Sequence, residues 1–313
     1  MGYAPRVIFI FIDGLGIGPA DPEVNPLLVA RMPTLASWVG TTDPDAWLAG
    51  VSNERASLTP LDATLGVDGL PQSATGQTSL YAGVNAAELL RRHMPGYPNK
   101  ALQAILATRG VLPTLVRAGC SAAFVNAYTF RRIPEYLTRR RPLSATTVMS
   151  LAAFGGFRTS EDVRRGEAVF HDLTNRGLRR RGENVPVIEP REAGEIIARV
   201  AAVHHFTLFE YFLTDLAGHR QRMHRATLYL EDVDEMLNGI RSAVDFARTL
   251  LIVTSDHGNV EDLSTRGHTR KPVPLITVGT ERERFRGLTS ITDVTPACVA
   301  LLLEDERGRV KED

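Results

Sequence analysis

Three stretches of the chain are apolar at nearly every position and then turn polar: VIFIFIDG from Val7, TLFEYFLTDLAGH from Thr207 and TLLIVTSDHGN from Thr249. Near-continuous apolar runs of this length mark strands buried on both faces, as in a parallel sheet. Apolar residues at three- and four-residue spacing predict helices over roughly 98–118, 192–204, 225–246 and 292–303. Strand and helix alternate. The expectation is an α/β fold, a doubly wound and mostly parallel sheet flanked by helices, with ligands outside the carboxyl ends of the strands. Each of the three apolar runs delivers an aspartate there: Asp13, Asp215 and Asp256.

Residues 130–186 break this rhythm with arginine clusters, the Gly155-Gly156 pair and a polar segment over 160–177 that reads as helix. We expect them to form a small cap inserted into a core made of 1–129 and 187–313. There is no internal repeat and no long low-complexity run.

Composition narrows the partners. The 313 residues are 43% hydrophobic, ample for a buried core. Lys+Arg and Asp+Glu are both 36, so no charge excess points to nucleic acid or a membrane surface. Cys120 and Cys298 sit in apolar surroundings without metal-type spacing and read as reduced core thiols. The run from Val7 to Ile12 is too short to span a bilayer and is followed at once by Asp13. A cytoplasmic protein is the expectation.

The strand-end residues carry the chemistry as a set. Asp13, Asp256 and His257 can make one cage of oxygen and nitrogen ligands, and Asp215, His219 and His268 a second. Two divalent ions so held can clamp the attacking and leaving oxygens of a phosphate, and mixed carboxylate and imidazole ligation suits Mn²⁺ or Zn²⁺. In the Asp256-His257-Gly258 tripeptide the glycine is expected to let the backbone turn sharply. The segment LPQSATGQTSLYAGVNA offers hydroxyls, Ser73 and Thr75, before a small-residue helix expected to begin near Gly76. Such a helix start presents backbone N–H groups to an anion. Asn85, His93, Arg131, Arg132 and Lys271 are candidate substrate contacts, the arginines because a guanidinium grips phosphate or carboxylate bidentately.

The ordered set FIDGLG, PQSATGQTSLYAGVNA, TDLAGH, TSDHGNVED and GHTRKPVPL resembles the metalloenzyme core of the alkaline phosphatase superfamily, in particular cofactor-independent phosphoglycerate mutases and phosphopentomutases. The resemblance implies that Asp13, Ser73, Asp256 and His257 hold one metal, that Asp215, His219 and His268 hold the other, and that Ser73 is the nucleophile. It implies phosphoryl transfer on a small phosphorylated metabolite. The chain departs from the mutases in its short insert, about 55 residues, and in Gly76-Gln77 where they usually carry Gly-His. Other motifs fail: a dinucleotide G-x-G-x-x-G would need glycine where Pro19 stands, and no G-x-S-x-G surrounds Ser73. The alternatives are a phosphodiesterase or phosphonate hydrolase on the same core, and a non-catalytic metal-dependent metabolite-binding protein.

Overall fold

The computed structural model describes residues 5–129, 132–138 and 140–309. Its central strand, β1 (Arg6–Ile12), shows why the first apolar run contains no polar residue. Ile8, Ile10 and Ile12 pack against Ile196, Ile197, Val233 and Met236 of the helices Pro190–Ala201 and Met223–Ala243. Val7, Phe9 and Phe11 pack on the other side with Leu80, Tyr81, Leu112 and Leu301. Alternate residues of a strand face opposite ways, so a strand covered on both faces has no solvent position to give a polar residue.

Among the described residues seven strands form one sheet in the order β2-β3-β9-β8-β1-β7-β4. β4 (Ala122–Phe124), β7 (Phe206–Tyr211), β1 and β8 (Thr249–Thr254) run parallel. Ile8 is registered between Thr207 and Leu251, and Ile10 between Phe209 and Val253. The other edge is antiparallel: β9 (Val273–Gly279) against β8, β3 (Ala56–Leu61) against β9, and β2 (Val51–Ser52) against β3. Both cysteines are buried. Among the described residues no helix is long and apolar enough to cross a membrane.

The expected helix over 98–118 is two helices, Lys100–Arg109 and Val111–Arg117, broken at Gly110. Pro113 has no N–H to bond back to Arg109, so a continuous helix would leave a gap in its ladder there. The stretch 160–177 is not one helix either. A single turn, Ser160–Arg164, gives way to extended chain, where Asn126 and Val169 form an isolated parallel bridge. The Asp172 carboxylate then gathers the N–H groups of Thr174, Asn175 and Gly177 into a turn before Arg176–Arg180. A two-stranded ladder of β5 (Ala127–Tyr128) and β6 (Arg158–Thr159) lies here. Ala127, Val163, Phe170, Leu178 and Val185 form a small apolar cluster of their own.

Candidate metal centre and cavity

Because β8, β1 and β7 are neighbours, their carboxyl ends bring three loops together. Asp13 follows β1 directly, its N–H donating to the Tyr211 carbonyl at 2.9 Å. Asp215 lies in a short helix, Leu213–Gly218, just past β7. Asp256 and His257 follow β8 after a single serine, Ser255. The ligand atoms of Asp13, Asp256 and His257 lie within 4.8 Å of one another, and so do those of Asp215, His219 and His268. In the first group His257 Nε2 is 3.4 Å from both Asp13 Oδ1 and Asp256 Oδ2. In the second His268 Nε2 is 3.2 Å from His219 Nε2 and 3.5 Å from Asp215 Oδ1. The His257 and His268 rings stack with centroids 3.7 Å apart, so the two groups abut.

The donor sets suit cations. Asp13 Oδ1 and both carboxylate oxygens of Asp256 are buried without a hydrogen-bond partner of good geometry, an arrangement that costs free energy unless something positive completes it. Burial, then repulsion from Asp256, Asp215 and Glu210, drives the Asp13 carboxyl well above its ordinary range. Asp256 is raised likewise, by burial first and Asp215 next. Burial and the neighbouring His268 push the His257 imidazole well below its usual value. Bound cations reverse the carboxylate shifts by favouring the anions, and they act in the same direction as burial on His257 by favouring the neutral imidazole. The rings are also oriented for ligation: Nδ1 of His219 donates to the Arg266 carbonyl and Nδ1 of His268 to that of Pro71, each at 2.7 Å. Each Nε2 lone pair is left facing the carboxylates.

The helix Ser73–Ala82 begins three residues earlier than expected, with Ser73 as its first residue. Ser73 Oγ lies 3.1 Å from His257 Nε2. Thr75 is buried and turned to structural use: its hydroxyl donates to the Gln72 carbonyl at 3.1 Å and accepts the Met94 N–H at 3.2 Å. Gly76 is what lets this helix approach the metal-type cluster, because a Cβ there would sit 2.9 Å from the Asp256 carbonyl oxygen. Gln77 Nε2 reaches Asp13 Oδ2 at 3.4 Å. Gly258 has a different reason from the sharp turn expected of it. Its φ is not positive, but a Cβ would come within 2.3 Å of both Glu261 Oε1 and Thr269 Oγ1.

Several buried polar residues about the site were not picked out from the sequence. Glu261 accepts the N–H groups of Gly16 at 3.1 Å and Asn259 at 2.6 Å, and the hydroxyl of Thr269, tying together the loops after β1 and β8 and the Gly267-His268-Thr269 segment. Asn259 Nδ2 donates to Asp215 Oδ1 at 2.6 Å. Glu210, on β7, has its main chain bracketed by the Asn126 amide and accepts the Thr146 hydroxyl at 2.6 Å. Burial raises its carboxyl to about 7, with the Thr146 hydrogen bond opposing. The signals were present only as single letters within apolar runs or beside stronger motifs.

A cavity of about 710 Å³ opens beside the clusters, with Asp13, Ser73 and Asp215 on one side and Arg132, Arg141 and Arg181 among its other lining residues. Arg131 lies outside the described residues. Asn85, His93 and Lys271 make their contacts elsewhere. Asn85 caps the start of the helix Ala86–Leu90, accepting the Glu88 N–H and donating to the Leu65 carbonyl. His93 Nε2 meets the Val67 carbonyl at 3.2 Å. Lys271 is exposed, its N–H donating to Thr269 Oγ1.

Residues 191–305 match the profile of the Metalloenzyme superfamily. Curated relatives include the 2,3-bisphosphoglycerate-independent phosphoglycerate mutase of Thermomicrobium roseum, 31% identical over 117 residues, which are 34% of this chain and 22% of that protein. The enzyme of the same name from Aliivibrio fischeri is 34% identical over 94 residues, 28% of this chain and 18% of that protein. The matched region thus spans about a fifth of the length of these relatives. Among solved structures, the PH0037 protein from Pyrococcus horikoshii is similar with a TM-score of 0.59 and 16% identity, covering 96% of this chain and 98% of that one. The alkaline phosphatase of the Antarctic bacterium TAB5 is similar at a TM-score of 0.50 and 12% identity, covering 96% and 99%. At such identities the likeness is one of fold.

Proposed function

We propose that the chain is a metalloenzyme of the alkaline phosphatase superfamily, a reading supported by the match over residues 191–305 and by the likeness of fold, and that it transfers the phosphoryl group of a small phosphorylated metabolite through a phosphoserine on Ser73. The observation that carries this reading is the 3.1 Å approach of the Ser73 hydroxyl to His257 Nε2, at the junction of the two ligand clusters. In this reading Asp13, Ser73, Asp256 and His257 hold one divalent ion and Asp215, His219 and His268 a second, Mn²⁺ or Zn²⁺ by the chemistry of the donors. Such ions, when bound, favour the ionised hydroxyl and offset charge on the phosphoryl oxygens.

The chain's own groups do the rest. Ser73 opens a ten-residue helix, and the dipole of that helix favours an anion at its start, although the Ala74 N–H is already given to the Met94 carbonyl at 3.1 Å. The Ser73 Oγ–P bond forms as the ester P–O bond breaks and the alcohol leaves with a proton. Water then releases phosphate and restores the hydroxyl. Gln77 steadies Asp13, and Asn259 steadies Asp215. Arg132, on the cavity wall, is placed to meet an anionic group of the substrate. We assign 130–186 the role of cover over the cavity. That segment is short, so water reaches the phosphoserine and hydrolysis prevails over return of the phosphoryl group to a second hydroxyl.

Incubation of Mn²⁺-loaded protein with a panel of phosphorylated metabolites, acid quench and peptide mass spectrometry tests the reading. Phosphate is expected on the peptide containing Ser73. Turnover without a phosphorylated peptide, and with full activity in Ser73→Ala, would sink it.

A further inference from the structure

The cavity lining includes apolar side chains for which phosphoryl transfer alone has no use. Phe212, Leu213 and Leu216 surround Asp215 in sequence and line the cavity. Phe212 and Leu216 remain 36% and 37% exposed. Apolar groups held open to water beside a charged cluster are informative, because polar side chains would be better solvated there.

Phe212 is also firmly backed. Its ring stacks on that of His171 with centroids 4.5 Å apart and planes 29° apart. His171 lies against Phe170 at 3.9 Å, and the Arg181 guanidinium covers Phe170 at 5.3 Å. Four planar groups therefore run in succession from Arg181 to Phe212. Burial, assisted by Arg181 and opposed by Asp172, lowers the His171 imidazole to about 4, so the ring beneath Phe212 is uncharged at neutral pH. A polyol gains no hydrogen bond from Phe212, Leu213 or Leu216, whose side chains have neither donor nor acceptor. A planar ring gains both apolar burial and stacking. The cavity, about 710 Å³, is large enough to admit such a ring together with the phosphate. Phe212 immediately precedes the short helix that carries Asp215, and both residues line the cavity.

We propose that the substrate is a phosphate monoester whose organic part carries a planar aromatic or heteroaromatic ring, stacked on Phe212. This rests on the phosphoryl-transfer reading above and names the substrate class of the same site.

Two probes differing in planarity test it: 2-phenylethylphosphonate and 2-cyclohexylethylphosphonate, neither of which is cleaved by ester hydrolysis. Calorimetry with Mn²⁺-loaded protein should show the phenyl compound binding on the order of five-fold tighter. Phe212→Leu, which keeps apolar bulk but loses the ring, should bring the ratio to about one, and Phe212→Tyr should preserve it. The corresponding phosphate esters, whose leaving groups are matched, should show the same order in kcat/KM. Equal binding of the two phosphonates by the unaltered protein, no binding of the phenyl compound, or a ratio unmoved by Phe212→Leu would overturn the proposal. Ring selectivity in binding with no turnover of either ester would support the ring site and count against phosphoryl transfer.

Discussion

Ser73 Oγ and His257 Nε2 are 3.1 Å apart although 184 positions separate them in the chain. The contact joins the first turn of one helix to the loop after β8, and Gly76 permits it by leaving no Cβ against Asp256. Thr75, two residues on, has both its hydroxyl bonds committed to Gln72 and Met94. The two substitutions are therefore expected to fail differently. Ser73→Ala should lower turnover by about a thousandfold or more while the protein still binds metal. Thr75→Ala should keep most activity and lose about 1–2 kcal/mol of stability. Steady-state rates and urea melts of the two variants are the check.

Saturating Mn²⁺ or Zn²⁺ should give two ions per chain, since the six carboxylate and imidazole ligands divide into two separate groups. Replacing Asp256 and His257 together with alanine should leave one. Elemental analysis after gel filtration measures this. Unchanged stoichiometry in the double variant would disprove the assignment.

The metal-free protein should lose stability as pH rises through the range where Glu210 titrates. Its carboxyl moves from an ordinary 4.5 to about 7 on folding. Between those values the native state holds a proton that the unfolded chain has lost, so stability falls with rising pH, by about 3 kcal/mol once above pH 7. Glu210→Gln should flatten part of the decline, the remainder coming from Asp13 and Asp256, which are raised in the same direction. Thermal melts in chelator from pH 4 to 8 test it. An identical slope in the variant would show that Glu210 is not the group responsible.

Gly76→Ala should cost about 1–3 kcal/mol, because the new methyl would lie 2.9 Å from the Asp256 carbonyl oxygen and 3.1 Å from its Cβ. The same displacement should weaken metal binding. A control at Gly156, whose Cβ position is open and whose φ is not positive, should leave metal affinity unchanged.

Inorganic phosphate should be the main product rather than an isomerised ester. Phosphorus NMR of the reaction follows both. Clean isomerisation without phosphate release would overturn the hydrolytic reading.

Three of the parallel strands, β1, β7 and β8, were legible along the chain because they are buried on both faces, and strands so placed are apolar at most positions. The strand-end aspartates were legible for the same reason, as abrupt polar residues after apolar runs. The antiparallel edge was not: β3 reads ASLTPL, short and interrupted by Pro60, and its pairing with β9 joins residues more than two hundred positions apart. The break at Gly110 was written in Pro113, but the surrounding helical spacing is strong enough to hide it. Spacing also named the hydroxyl pair without deciding between them, since the distinction lies in what each oxygen touches: His257 for Ser73, Gln72 and Met94 for Thr75. Glu261, Glu210 and the stack beneath Phe212 depend wholly on the meeting of distant segments. Periodicity records how much of a residue is buried, because burial repeats with the geometry of the element. It carries no record of which distant residue lies opposite, and at this site that pairing determines the chemistry.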